Sequence, residues 1–370
     1  MSDQVRAAVQ VGPRQIEIRE FPRPEIGPDD GLLRVEANGI CGSDLEVYRG
    51  HMTMSKGPFV PGHEPLGIVE EIGERAAQRW GVEAGDRVAV EVIVPCRSCH
   101  ACLTGRYQSC PNRRYGHGVT GIEVEPSLWG GLAEYMYLSP TSVLHKIDKR
   151  LPAELAALYN PLGAGVRWAY HLGEVGLGDT VLVLGAGQRG LASVIASRAA
   201  GAGTIIVTGL EVDEHKLELA REFGADHTIV VDEEADVDVA ERVREITDGA
   251  LADVALELTP MATEPIIDAL KAVRHGGRVV LAGLKGGRET SLSTDLIINR
   301  ALTVRGAFGV DATAYAETIA IIESRRFPLE KMHTHTFGLE DTTLAMQTLG
   351  GEIPGEQAVH VSVHPNGMTT

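Results

Sequence analysis

Four of the five cysteines, Cys96, Cys99, Cys102 and Cys110, fall at the spacing Cys-x2-Cys-x2-Cys-x7-Cys. Four thiolates on one short loop of Gly, Arg and Ser suit a tetrahedral zinc with every position filled. A site closed by sulfur has no room for a substrate, so the expected role is structural. His100 lies inside the loop and is expected to face solvent, since sulfur already saturates the metal. The fifth cysteine, Cys41, stands in GICGSD, and His63 and Glu64 follow in PGHEPLGIVEEIG. Sequence separation alone does not make one Cys and one His a site, and a buried thiol or a core histidine is the commoner case. Two neighbours change the odds. Asp44 is the kind of acceptor that a metal-bound imidazole usually has, and Ser43 offers a hydroxyl that could pass a proton. Glu64 is either a spare ligand or a plain charge near a strand start.

A third constellation is DTVLVLGAGQRGL, residues 179–191. A short apolar run ends at Gly185, and Gly185, Gly187 and Gly190 give Gly-x-Gly-x-x-Gly, with Gln188 and Arg189 inside the turn. Leu191 to Ala200 are small or apolar and suit a helix. A strand feeding a helix through such a turn lets backbone approach a pyrophosphate closely. Free N–H groups and the positive end of the helix dipole then bind it. Three glycines alone are a weak signal; the flanking strand and helix supply the context the motif requires.

These groups need scaffolds. At 370 residues the chain exceeds the usual size of one domain, so two are expected. Residues 5–38 read as short strands, and alternation in QIEIREF and LLRVEA fits β-structure. Residues 115–147 return to strands and turns, and His117 there reads as structural. ELAALYNPLGAGVRWAYHLGEVG reads as helix, a break at Asn160-Pro161, and helix again. Beyond it VLVLG, TIIVTG, HTIVV, ADVALELT, RVVLAGL and LTVRGAF alternate with helical stretches, which implies a parallel, doubly wound α/β sheet. From about Asp311 that rhythm is lost, and the tail is expected to rejoin the first lobe. The net charge of -17 argues against nucleic acid as a partner. No apolar run is long enough to span a membrane. The first residues lack the apolar core of a signal peptide, so a cytoplasmic location is expected.

The motifs GICGSD, FVPGHEPLGIVEEIG, the four-cysteine lobe, WGGLAEYMYL and VLVLGAGQRG stand in one order along nearly the whole chain. In this the sequence resembles the zinc-containing medium-chain dehydrogenases, the group of alcohol, polyol and threonine dehydrogenases. The resemblance implies a GroES-like β-rich catalytic domain, residues 1–157 and 306–370 with a structural zinc lobe at 94–112, wrapped around a Rossmann domain at 158–305. It implies a catalytic zinc on Cys41 and His63, Glu64 behind it as an alternative ligand, Ser43 taking the alcohol proton, and Asp44 orienting His63. It also implies a homodimer or homotetramer joined through an edge strand such as LTVRGAF.

Three positions depart from that pattern. The third protein ligand, acidic in the polyol and threonine branches, here falls on Asn160, and an amide oxygen is a poorer zinc ligand than a carboxylate. Glu46 stands where many relatives carry a His of the proton relay. Gly209 replaces the acidic residue expected to hold the ribose 2′-OH, which makes NADP tolerable. Yet no Arg stands in residues 209–214 to clasp a 2′-phosphate, His215 and Lys216 being the nearest basic residues, and Glu211 could stand in for the carboxylate, so NAD is the favoured cofactor. The expected reaction is interconversion of a secondary alcohol or polyol and its ketone, with a small-molecule substrate. The alternatives are a zinc-free reductase of activated C=C bonds and an inactive cofactor-binding protein. Tyr48, Tyr159 and Trp168 are candidates for a pocket wall or for packing.

Overall fold

QIEIREF and LLRVEA are strands, as their alternation predicts. Gln15–Pro22 pairs antiparallel with Gln4–Gly12, and Gly31–Ile40 lies inside a seven-stranded sheet. The computed structural model describes residues 3–231 and 237–367. It contains two compact units: Met1–Asn160 with Asp311–Arg325 and Leu329–Thr370, and Pro161–Val310 with Arg326–Pro328. Among the described residues no helix is long and apolar enough to cross a membrane.

In the first unit the sheet runs His333–Gly338, His360–His364, Gly31–Ile40, Pro65–Ile72, Arg87–Val90 and Leu144–Lys146, with Tyr135–Leu138 also paired to Gly31–Ile40. Leu33, Val35, Val69, Val88, Val90 and Met136 pack as one cluster on it. The C-terminal tail returns here, as its lost βα rhythm predicts: Val361 stands opposite Ile40 in the antiparallel register. Ile40, Tyr48, Leu132, Met346 and Val361 form a second cluster beneath the helix Gly42–Tyr48.

The second unit holds six parallel strands in the order His227–Val230, Thr204–Gly209, Thr180–Leu184, Ala252–Glu257, Val273–Leu281 and Thr303–Gly306. Its central strands read as unbroken apolar runs because both faces of such a sheet are covered. Leu182, Ile206, Ala255 and Val279 are fully buried. The strand order reverses between Thr180–Leu184 and Ala252–Glu257, the switch point where sheets of this kind bind ligands.

Two local expectations are corrected. Asn160-Pro161 does not break the helix; the interruption falls at Ala157 and Leu158, between Ala153–Ala156 and Tyr159–Gly165. Pro161 sits in the first turn of the second helix, where its missing N–H has no partner to lose. The helix after the glycine turn begins at Gln188 instead of Leu191 and therefore contains Gly190.

Candidate active site and metal centres

Asp44 organises the Cys41 group. It is the third residue of the helix Gly42–Tyr48, and its Oδ2 accepts the Cys41 backbone N–H at 3.0 Å. Its other oxygen, Oδ1, lies 3.0 Å from Nδ1 of His63. A proton held on Nδ1 leaves the Nε2 lone pair as the ligand atom. Ser43 Oγ donates to Cys41 Sγ at 3.2 Å and lies 3.5 Å from His63 Nε2, so hydroxyl, sulfur and imidazole converge. Glu64 joins them: one ligand atom each from Cys41, His63 and Glu64 lie within 4.8 Å of one another, all buried. Burial opposes a charged His63, but the Asp44 carboxylate and then the Cys41 thiol outweigh it and raise the imidazole pKa. Thiolate, imidazole and carboxylate in one dry group fit a zinc ion with a position left open.

Asn160 is 2 % exposed, and its Nδ2 donates to the Tyr315 hydroxyl at 3.0 Å. Glu46 turns to other partners: its Oε2 is 2.8 Å from Nδ1 of the half-exposed His51, and Oε1 is 3.4 Å from Arg49. Tyr48 and Tyr159 are packed in the interior, and the Tyr159 hydroxyl donates to the Val90 and Pro65 carbonyls. The pocket-wall alternative therefore falls for both. His117 is fully buried with Nε2 2.9 Å from Ser142 Oγ, a structural arrangement.

The four cysteines of the lobe are free thiols whose sulfur atoms all lie within 4.8 Å. Cys99 is 3.5 Å from Cys102 and 3.8 Å from Cys110, and Cys96 is 3.9 Å from Cys102. A tetrahedron with Zn–S bonds of about 2.3 Å has edges of about 3.8 Å, so the spacing fits zinc. Backbone N–H groups of Ser98 and Cys99 lower the Cys96 pKa to about 5, whereas burial and neighbouring thiols push Cys102 up to about 12. Cys102 does not ionise unaided; a bound dication removes that conflict. His100 is exposed.

In the second unit the glycines take the shape a dinucleotide needs. Gly185 has φ +105°, and a Cβ on Gly190 would meet the Gly185 carbonyl at 1.9 Å, so strand and helix touch there. A Cβ on Gly187 would meet nothing within 4 Å, which leaves open space before the helix N-terminus. Gln188 is buried, and the Arg189 guanidinium sits 5.4 Å from the Trp168 ring centroid. Gly209 ends the neighbouring strand. Glu211 is exposed in a single turn, Glu211–Asp213, and Lys216 is paired with Asp213 at 2.6 Å.

Sequence reasoning missed Tyr315, which accepts from Asn160, and the group formed by the buried Glu91 with the half-buried Tyr107 and His145. A single aromatic or carboxylate far from its partners leaves no periodic or spacing signal.

The geometry agrees with comparisons to known proteins. Residues 27–149 match the alcohol dehydrogenase GroES-like domain, and residues 190–324 match the zinc-binding dehydrogenase domain. A Mycobacterium tuberculosis protein named "Probable alcohol dehydrogenase adh" is 42% identical over 370 residues, covering 98% of each chain. The erythritol/L-threitol dehydrogenase of Mycolicibacterium smegmatis is 32% identical, covering 99% of this chain and 100% of its own. A crystal structure of a Sinorhizobium meliloti 1021 protein assigned to the zinc-binding dehydrogenases and bound to NADP superposes with a TM-score of 0.84. It is 27% identical and covers 98% of this chain and 100% of its own. With the two metal-fitting groups in one unit and the glycine turn in the other, the chain belongs to the zinc-containing medium-chain dehydrogenase family.

Proposed function

We propose that this protein reversibly oxidises a secondary alcohol or polyol to its ketone, with a nicotinamide dinucleotide as hydride acceptor. The observation that carries the reading is the convergence of Cys41 Sγ, His63 Nε2 and Ser43 Oγ under the control of Asp44. Zinc on these residues would supply Lewis acidity to the substrate oxygen, and the dinucleotide would take the hydride. Asp44 holds both ligands in place at once. The Ser43 hydroxyl takes the alcohol proton and passes its own onward. Glu46, one turn further along the helix and paired with His51, offers the next stop towards water. Glu64 provides a carboxylate behind the site, and Asn160 the neutral amide where relatives carry an acid. The glycine turn with Gln188 and Arg189 holds the pyrophosphate. The polyol-acting mycobacterial relative supports a hydroxylated substrate.

A panel of secondary alcohols and polyols, offered with NAD and with NADP while reduced cofactor is followed by absorbance, tests the reading. Turnover of at least one alcohol, lost on chelation and restored by zinc, is expected. Activity confined to activated C=C substrates would replace it with the reductase reading.

NAD is the favoured cofactor, with NADP tolerated as the NADP-bound relative suggests. Gly209→Asp should shift kcat/KM towards NAD by about tenfold or more, because a carboxylate accepts from the 2′-OH and repels a 2′-phosphate. The new Cβ would lie 3.0 Å from Leu217 Cδ2, so a modest fall in Tm should accompany the shift. An unchanged preference would mean that the loop after Thr208 does not face the ribose.

The protein is further read as a homodimer or homotetramer joined along Thr303–Gly306. That strand ends its sheet, and Ile298, Val304 and Phe308 are exposed beside it. Pairing would cover an open edge. Light scattering at micromolar concentration should give at least twice the 39.6 kDa chain mass, and a monomer would exclude the assembly.

A further inference from the structure

Glu91 is 1 % exposed, carries a carboxylate, and has no part in the reaction proposed above. It follows directly on the strand Arg87–Val90. Both of its oxygens face the Tyr107 hydroxyl, at 2.9 and 2.7 Å, and Oε1 is 2.8 Å from Nε2 of His145. Burial pushes the Glu91 pKa up, and the His145 and Tyr107 contacts oppose the shift. Tyr107 belongs to the four-cysteine lobe. It opens the turn Tyr107–Ser109, and its carbonyl accepts the backbone N–H of Cys110, one of the four sulfur ligands. Its backbone is therefore tied to the lobe.

The same hydroxyl has a second partner. Tyr107 Oη accepts the backbone N–H of Ala312 at 2.6 Å. Ala312 is the first residue of the helix Ala312–Ser324, whose start is capped by Asp311 through Ala314 N–H at 3.0 Å. One turn along that helix stands Tyr315, the acceptor for Asn160 Nδ2. A second route reaches the same residue, since the His145 ring held by Glu91 lies 5.2 Å from the Tyr315 ring. Tyr315 also packs against the Tyr159 ring at 5.6 Å, beside Asn160 in sequence. One phenol in the cysteine lobe thus contacts a buried carboxylate and a helix start and, through both, Tyr315 with its neighbours Asn160 and Tyr159, whose hydroxyl lies 3.1 Å from the carbonyl of Pro65, the residue after Glu64.

We propose that Tyr107 is a positioning residue that makes metal affinity at Cys41 and His63 depend on a closed four-cysteine lobe, by holding the helix that places Asn160. The inference rests on the reading that both groups bind metal and that Asn160 stands at the position of the third protein ligand. Removing the hydroxyl leaves the Ala312 N–H without its acceptor and Glu91 with His145 but without the phenol, and a polar group stripped of a partner relaxes its surroundings. Loss of one supporting partner of a metal site typically weakens binding by about 10–100-fold.

The experiment is chelator competition on zinc-loaded full-length protein, with metal content read by mass spectrometry. Wild type should release one zinc readily and hold the other. Tyr107→Phe should keep the firmly held zinc and bind the labile one about 10–100-fold more weakly. Tyr137→Phe, which removes the hydroxyl bonded to Asp30 at 3.0 Å in the same unit, should leave both unchanged. Adding Tyr107→Phe to Asn160→Ala should weaken the labile zinc no further than Asn160→Ala alone, because linked groups are non-additive. Should Tyr107→Phe be insoluble, Glu91→Gln carries the same expectation. Wild-type affinity for the labile zinc in the soluble variant, or simple addition of the two effects, overturns the coupling. A wild type that holds only one zinc overturns the two-metal reading beneath it instead.

Discussion

Cys99→Ser should lower the melting temperature by roughly 10 °C or more, or leave the chain insoluble. Zinc binding to four thiolates releases roughly 10–16 kcal/mol in small zinc peptides, and that energy is folding energy. A whole domain is held by only about 5–15 kcal/mol. The three remaining sulfurs keep part of the affinity, but about 3 kcal/mol lost already corresponds to roughly 10 °C in a domain of this size. The arrangement also shows where the damage would spread. The helix His100–Leu103 and the turn Tyr107–Ser109 are only four and three residues long, and Leu103 is 74% exposed. Little apolar packing is left to hold such short pieces once the metal is gone. Circular dichroism melts and metal content together check this. A variant as stable as wild type and merely inactive would remove the structural assignment.

Cys41→Ala should do the reverse: keep the fold and abolish alcohol oxidation. Cys41 is buried, but its side chain is small, so its truncation costs little packing. Its sulfur, however, is both the acceptor for Ser43 at 3.2 Å and a member of the metal-fitting group. Lewis-acid activation contributes several kcal/mol to such a reaction, and each 1.36 kcal/mol is tenfold in rate. The expected loss in kcat/KM is therefore about a thousandfold or more, with the zinc count falling from two to one and the Tm nearly unchanged. Dinucleotide binding, measured by fluorescence titration, should survive, because Gly185, Gly187 and Gly190 belong to the other unit. Retained turnover with a single zinc would sink the zinc-assisted mechanism and favour reduction of an activated C=C bond.

Much of this protein was legible in sequence, wherever the physics is local. The four cysteines span fifteen positions, so their spacing alone brings the sulfurs together, and the structure gives them separations that match the edges of a zinc tetrahedron. The glycine turn is equally local: a strand, three glycines and a helix, in which only a residue without Cβ fits against the Gly185 carbonyl. The apolar runs between helical stretches dictated a parallel sheet for the same reason, since burial on both faces tolerates no polar alternation.

The tertiary structure decided what sequence distance hides. Asp44 could be suspected of holding His63, but that its second oxygen also fixes the Cys41 backbone emerges only when the helix Gly42–Tyr48 is seen. Glu46 stands where the resemblance places a relay His, and only the fold shows that its partners are His51 and Arg49. Pro161 suggested a break, yet a proline in the first helical turn loses no hydrogen bond, and only the position of the helix start determines which case holds. Asn160 meets Tyr315 across 155 positions, and Tyr107 meets Ala312 across 205. Contacts of that span are set by how sheets and helices pack, and packing is a property of surfaces built from many remote residues, so no spacing within the chain encodes it.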